Sequence, residues 1–427
     1  LDELLFTGTN PEAAGAIAVR GKPGYFADFA CKVVNHLQKV HGKTVWMWDD
    51  MVLGKNIYRT EGFNDTYHEA LDRFPRDVIM THWYYWTNSD GKHQTIMKRV
   101  AGAKRPFVVA PSSLTCGYDF GSLIRAADNQ SYMARCGLKN GAFGLVNTQW
   151  ENRYGCSFLA GWPLQAMAAG FAWSGGTPPD SRFWNAFSFV LCGDQGALVS
   201  YLETIDRIQD LLNGHGVGPA AVRGLLFLHG PQRLWRQTTT GLTPTVRRQL
   251  RILLATARKH HAAIGDRDPE LKRAMALGVT LFGEGLTIID AFDKTWGHYH
   301  RASLLERKPG ARAACSASLK DAIKALSEAR SAMRRLNRDI LTLERTTGHT
   351  SYDSYALGEW IKALDRIPRL IREVAQSGGG LPYFEKLLSL PPCYELSNLQ
   401  QIRVQNTFHD WFAGGNRSTQ PPKRWQA

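Results

Sequence analysis

In the first 176 residues, short apolar runs alternate with longer segments in which apolar residues recur every three or four positions. The short runs predict buried β-strands, and the longer spacing predicts amphipathic helices. One such helix is predicted over residues 25–41, where Phe26, Val34 and Leu37 fall on one face. The predicted strands span residues 4–9, 44–48, 78–86, 107–110 and 143–148. Repeated strand–helix units of this kind predict a parallel sheet of the α/β class.

Most of these strands end in aromatic or acidic residues. Asp49 and Asp50 follow the second strand, Trp150 and Glu151 follow the fifth, and residues 83–86 end the third as Trp-Tyr-Tyr-Trp. The carboxyl ends of parallel strands are where (β/α) barrels place their sites. Indole rings stack on the C–H faces of sugars, and carboxylates accept hydrogen bonds from sugar hydroxyls. The pattern therefore predicts a carbohydrate site.

The four consecutive aromatic residues cannot all line that site. Successive side chains of a strand point to opposite faces of the sheet. Either Trp83 with Tyr85 or Tyr84 with Trp86 faces the site, and the other two pack against helices. The sequence leaves these two arrangements open.

The second half of the chain is predicted to be helical. Long helical runs cover residues 243–264, 269–294, 318–344 and 355–376, and the third carries an apolar stripe. This pattern predicts an antiparallel helical domain. The predicted organisation is a barrel part over residues 1–176, a helical domain over 177–413 and a loosely held tail over 414–427.

The number of strands sets a further expectation about the barrel. A (β/α)₈ TIM barrel has eight strands, whereas only five are predicted here. The expected fold is therefore the C-terminal five strands of such a barrel followed by the all-α domain. A preceding segment or a second chain is expected to supply the first three units.

Composition excludes few classes of function. The net charge is +14, but the basic residues are spread over predicted helices without interleaved aromatic residues, which favours a solvated surface over nucleic-acid binding. No run approaches about 20 apolar residues, so no membrane span is predicted. The seven cysteines are far apart and lack metal-ligand spacing. They predict reduced thiols, as in the cytoplasm, while secretion stays open, and no metal or cofactor is expected.

Residues 1–176 resemble the C-terminal half of the family 20 glycoside hydrolases, the β-N-acetylhexosaminidases. The resemblance rests on five motifs in the family's order: Gly8 with Gly15, GKTVWMWDDM over residues 42–51, PRDVIMTHWYYW over 75–86, the strand after Pro106, and NGAFGLVNTQW over 140–150. It implies hydrolysis of terminal β-linked N-acetylhexosamine by a substrate-assisted retaining mechanism, without a cofactor. The competing interpretation is a catalytically inactive sugar-binding or scaffold protein on the same barrel.

The chain departs from the family at the catalytic pair. Asn10 and Pro11 stand where the resemblance implies adjacent Asp and Glu. Three hypotheses stay open: the site is inactive, Asn10 and Glu12 act together on one face of an extended segment, or Asp49 and Asp50 are the working pair. The candidate catalytic residues are Glu12, Asn10 and Asp50. The candidate substrate-binding residues are Trp48, Asp49, Trp83, Tyr85, Trp150 and Glu151.

Overall fold

The structure is a computed structural model that describes residues 11–49, 52, 68–85, 92–113, 120–149, 158–177, 180–215, 242–347, 352–377 and 381. These residues divide into two compact units. The sheet unit comprises the described residues within 11–113, 124–149 and 164–177. The helical unit comprises the described residues within 120–123, 158–163, 180–377 and 381. The domain limits expected from the sequence stay predictions.

The sheet unit is built on four parallel strands. They are β1 (Trp46–Trp48), β2 (Ile79–Trp83), β3 (Phe107–Ala110) and β4 (Gly144–Leu145), in the spatial order β1-β2-β3-β4. The register pairs Trp48 with Thr81 and Trp83 with Ala110. The α/β class with a parallel sheet is thus confirmed, as are four of the five predicted strands. The predicted strand over residues 4–9 lies outside the described residues.

Five helices belong wholly or partly to this unit: α1 (Pro11–Lys39), α2 (His68–Leu71), α3 (Lys92–Gly102), α4 (Leu123–Lys139) and α5 (Phe158–Ser174). Helix α1 begins much earlier than predicted and is kinked at Gly21, whose φ of 67° is left-handed. Proline suits a first helical turn because its missing N–H has no partner there anyway. The expectation of an extended segment through residues 10–12 was therefore wrong for Pro11 and Glu12.

The two faces of the sheet differ. Met80 of β2, Phe107 and Val109 of β3, and Tyr84 just after β2 belong to a core cluster that also contains residues of α1 to α4. The opposite face carries Trp46 and Trp48 of β1, which are 46% and 43% exposed. The Trp46 ring lies edge-on to Phe143, just before β4, with ring centroids 6.2 Å apart. One face is thus covered by helices, and the other presents aromatic rings.

The helical unit contains α6 (Ser181–Cys192), α7 (Ala197–Gly214), α8 (Pro244–Ala263), α9 (Pro269–Glu306), α10 (Arg312–Thr347) and α11 (Tyr352–Ser377). The predicted helical half is confirmed, and in α10 the apolar stripe is buried at Leu326, Met333 and Leu336. Several helices begin at side-chain caps, such as Asp180 for α6 and Thr243 for α8. Helices α6 and α7 were not predicted from the sequence.

Helix α9 is long and apolar enough to cross a membrane, with a mean hydropathy of 1.4 in its most apolar window. Two thirds of that window, 67%, is buried within the protein. Length and composition alone are weak evidence for a membrane span, because a buried core helix has the same properties.

Candidate functional site

The candidate site lies at the carboxyl ends of β1 and β2. Asp49 directly follows β1, and its backbone N–H donates to the Thr81 carbonyl oxygen at 3.2 Å, which continues the pairing with β2. Its own carbonyl oxygen accepts from the Val52 N–H at 3.0 Å. These two bonds position Asp49 beside His82, which lies one residue before the end of β2.

Asp49 and His82 form a buried polar pair. The His82 Nδ1 atom lies 2.6 Å from Oδ2 of Asp49, a distance typical of a hydrogen bond to a carboxylate. Asp49 is 1% exposed and His82 is 0% exposed. A buried carboxylate needs such a partner because its transfer from water is costly. The bond also orients the imidazole, because it fixes which ring nitrogen faces the carboxylate.

The aromatic residues after β2 separate into two groups. Tyr84 is buried in the core cluster between the sheet and its helices. The rings of Trp83 and Tyr85 instead contact each other, with centroids 4.7 Å apart and planes tilted by 38°. Of the two arrangements that the sequence left open, this geometry favours Trp83 with Tyr85 as the pair facing away from the core cluster. Since Trp48 pairs with Thr81, which shares a sheet face with Trp83, all three rings lie on one side.

Asn129 of α4 joins the ends of β2 and β3. Its Nδ2 atom donates to the Tyr84 carbonyl oxygen at 2.9 Å, and its Oδ1 atom accepts from the Ser112 N–H at 2.9 Å. Asn129 and Ser112 are fully buried. A single amide thus bonds two backbone groups beyond the end of the regular strand pairing, where buried backbone groups need partners.

A chain of carboxamides continues from there. Gln130 Nε2 lies 3.3 Å from Asn147 Oδ1 and 3.1 Å from the Leu164 carbonyl oxygen. Asn147 Nδ2 donates to Ser113 Oγ at 2.7 Å and to Gln165 Oε1 at 2.8 Å. These amides are not ionisable, so this series of hydrogen bonds does not transfer protons. Its role is to hold α4, α5 and the end of β4 together.

Of the nine predicted site residues, the structure places Trp48, Trp83 and Tyr85 on one side of the sheet and Asp49 against His82. Glu12 lies in the first turn of α1, where only its backbone is described. Asn10, Asp50, Trp150 and Glu151 lie outside the described residues. Asp49 contacts His82 and is almost fully buried, so its predicted role as an acceptor for sugar hydroxyls stays a prediction.

Sequence reasoning missed His82, Asn129, Gln130 and Asn147. A signal was available for His82, which shares its strand face with Met80 and Tyr84 in the run Ile-Met-Thr-His-Trp. A polar residue on an apolar face needs a buried partner, and the nearest carboxylate after the neighbouring strand is Asp49. The three amides lie on a helix or beyond a strand end, and nothing in their spacing distinguishes them.

The thiols fit a structural role. Cys31, Cys136, Cys192 and Cys315 are free, and burial raises the pKa of the Cys192 thiol to about 12, with Asp194 adding to the shift. A thiol with so high a pKa is a poor nucleophile at neutral pH. Within the described part of the chain, no group of three or more His, Cys, Asp or Glu residues is arranged to hold a metal ion.

Comparisons with known proteins assign no family. No protein-family model matches the chain, and no curated protein is significantly similar to it.

Proposed function

We propose that this protein is a glycoside hydrolase similar to family 20, acting on terminal β-linked N-acetylhexosamine. The observation that carries the proposal is the common edge of the parallel sheet. There, Trp48 of β1 and Trp83 of β2 lie on one face of the sheet, the Trp83 ring contacts Tyr85 just after β2, and Asp49 follows β1, at the strand ends where barrel enzymes bind substrate. Exposed and half-buried indoles at such an edge suit the C–H face of a sugar ring.

The proposed mechanism is substrate-assisted. The acetamido oxygen of the sugar attacks the anomeric carbon, the glycosidic bond breaks, and an acid protonates the departing oxygen. Glu12 is the proposed acid, and Asp50 with Asn10 the proposed groups that orient the acetamide. Water then opens the cyclic intermediate with the anomeric configuration retained.

The Asp49–His82 pair supports the proposed role of Asp50, because the pair fixes the position of the residue directly before Asp50. Asp49 is held by two backbone hydrogen bonds and by the imidazole, so the chain leaves β1 from a fixed point. Asp50 is the next residue. A rigid supporting bond of this kind is what a catalytic carboxylate needs, since small misplacements of a reacting group are costly in rate.

The proposed barrel needs a further component. Sequential parallel strands are compatible with part of a (β/α)₈ barrel, in which the face with Trp46 and Trp48 would line the interior. We propose that a further segment or a second chain completes it. Analytical ultracentrifugation tests a second copy of the chain as this component: wild type should self-associate, and Trp46→Lys should reduce association.

The test of the enzyme compares two substrates with good and poor leaving groups. Glu12→Gln should cost about 10²–10⁴-fold on a natural glycoside but much less on an aryl N-acetyl-β-glucosaminide, whose leaving group needs little protonation. Asp50→Asn should impair both substrates alike, because cyclisation itself is slowed. Asp77→Asn is the matched control, as this exposed carboxylate precedes β2 at the opposite end of the strand.

A second candidate is a sugar-binding protein without catalysis. It is favoured by Asn10 and Pro11 at the acid positions and by the burial of Asp49 against His82. This candidate predicts that the completed protein turns over neither substrate yet binds N-acetylglucosamine in calorimetry. Trp83→Ala should then abolish binding, since it removes the ring paired with Tyr85.

A further inference from the structure

The pair His36 and His41 lies outside the candidate site and has an unusual geometry. Their Nε2 atoms are 3.3 Å apart, and both side chains are exposed. The ring centroids are 5.0 Å apart and the ring planes are nearly perpendicular, at 79°. The same nitrogen of each imidazole therefore points towards the other ring.

We propose that His36 and His41 form a two-histidine site for a divalent transition-metal ion such as Zn²⁺. Two imidazole nitrogens at about 2.0–2.1 Å from a tetrahedral zinc ion are about 3.3–3.4 Å apart. The ring centroids of two such ligands are about 5.2 Å apart in the same geometry. Both observed distances agree with these values.

The contact also meets the geometry of a hydrogen bond between the rings, at a long distance. Hydrogen bonds donated by N–H groups are about 2.7–3.2 Å long in proteins, most often near 2.9–3.0 Å. The observed 3.3 Å equals the separation of two nitrogens that share a tetrahedral ion. Neutral imidazole is also the commonest metal ligand in proteins.

The backbone turn after α1 allows the His41 side chain to contact the His36 side chain. Residues five apart on an ideal helix point about 140° away from each other. Helix α1 ends at Lys39, however, and Gly42 follows with a left-handed φ of 60°. The Gly42 N–H donates to the Gln38 carbonyl oxygen at 3.1 Å, which closes the turn. This turn brings His41 back over the last turn of α1.

The chemistry of the site follows from its ligand number and place. Two imidazoles leave the remaining coordination positions to water, so the site suits zinc, nickel or copper ions and not calcium or magnesium, which prefer oxygen ligands. His41 precedes β1 by five residues and lies towards the amino end of the strand. The ion would thus stabilise the connection from α1 to β1, away from the carboxyl-end site.

The test is calorimetric titration of the full chain with Zn²⁺ in a non-chelating buffer under reducing conditions. His36→Ala and His41→Ala should each weaken binding by about tenfold or more, because either change removes one of the two protein ligands. His260→Ala is the matched control and should bind like wild type. Circular dichroism checks that each variant is folded, which is expected because His36 and His41 are exposed and His260 is only half-buried.

Electron paramagnetic resonance with substoichiometric Cu²⁺ gives a readout that a structural role alone would not change. Wild type should show coupling to two imidazole nitrogens, and each single variant to one. Equal zinc affinity in wild type, His36→Ala and His41→Ala would overturn the proposal, as would an equal loss in His260→Ala. The proposal does not depend on glycosidase activity, so failure of either leaves the other intact.

Discussion

The sheet unit and the helical unit bury polar groups in different ways. In the sheet unit, Asp49, His82, Ser112, Asn129 and Gln130 are all buried near the carboxyl ends of the strands. They are bonded mainly to groups on other elements, from α4 to the ends of β1, β2 and β3. Buried polar groups stabilise a fold only when every partner is in place. Their concentration at one edge marks the region whose geometry is most constrained.

In the helical unit, polar groups cap helix ends and pair between helices at the surface. The Asp194 carboxylate accepts from the Ala197 N–H at 2.8 Å and from the Gly265 N–H at 3.2 Å. Arg335 forms a two-point ion pair with Glu284 at the surface. Most of the burial between α9 and α10 is apolar, so this unit is stabilised chiefly by hydrophobic contact. The comparison predicts that different kinds of substitution will break the two units.

The largest effect is expected for His82→Ala in the sheet unit. Removing the imidazole leaves the Asp49 carboxylate buried without its partner, which should cost about 3–5 kcal/mol of unfolding free energy. Hydrogen exchange of the sheet-unit amides measures this loss. The double variant Asp49→Ala/His82→Ala should be more stable than the sum of the single losses predicts. If His82→Ala lowers the unfolding free energy no more than a surface substitution does, buried polar pairs do not distinguish the sheet unit from the helical unit.

Leu336→Ala should be the corresponding destabilising substitution in the helical unit. This fully buried leucine of α10 lies in the apolar stripe, so truncation should cost about 2–5 kcal/mol through lost burial and a cavity. Hydrogen exchange of α9 and α10 amides is the measurement. Leu304→Ala, at an exposed position of α9, is the control and should stay within about 0.5 kcal/mol.

Asn129→Leu should have an intermediate effect. The change keeps the branching and the number of side-chain heavy atoms but leaves the Tyr84 carbonyl and the Ser112 N–H without their amide partner. We expect a loss of about 1–3 kcal/mol in chemical denaturation followed by tryptophan fluorescence. Asn185→Leu, at an exposed position of α6, should be nearly neutral. Equal results for the two variants would show that the amide bridge adds little.

The smallest effect concerns the Asp180 cap of α6. The hydrogen bond from the Phe183 N–H lowers the pKa of this carboxyl, with the Arg182 side chain adding to the shift. The cap therefore stabilises the helix above the ordinary aspartate pKa, and this contribution is lost as the pH falls through the lowered pKa. Asp180→Asn should keep the cap at neutral pH but remove its acid dependence, as pH titration by circular dichroism would show.

The helical unit was the easier one to predict from sequence. Its apolar stripe repeats over many turns of α10, so the period alone identifies the buried face. In the sheet unit, the apolar runs predicted the positions of β1 to β4, but the observed strands are shorter than predicted. For example, β2 spans Ile79–Trp83, whereas residues 78–86 were predicted. A strand ends where its partners stop pairing, which local composition does not record. The start of α1 was missed because residues 10–12 were interpreted as an extended segment, by analogy with the catalytic pair of the family that the sequence resembles.

The sequence by itself determined the α/β class, the parallel order and the helical second half, because hydrophobic periodicity is a local property. It also limited the aromatic residues after β2 to two alternatives. Only the tertiary structure decided that Trp83 and Tyr85 pair, that His82 meets Asp49, and that His36 meets His41. Each of these contacts depends on strand register or on a turn that reverses the chain, and both are set by packing between distant residues.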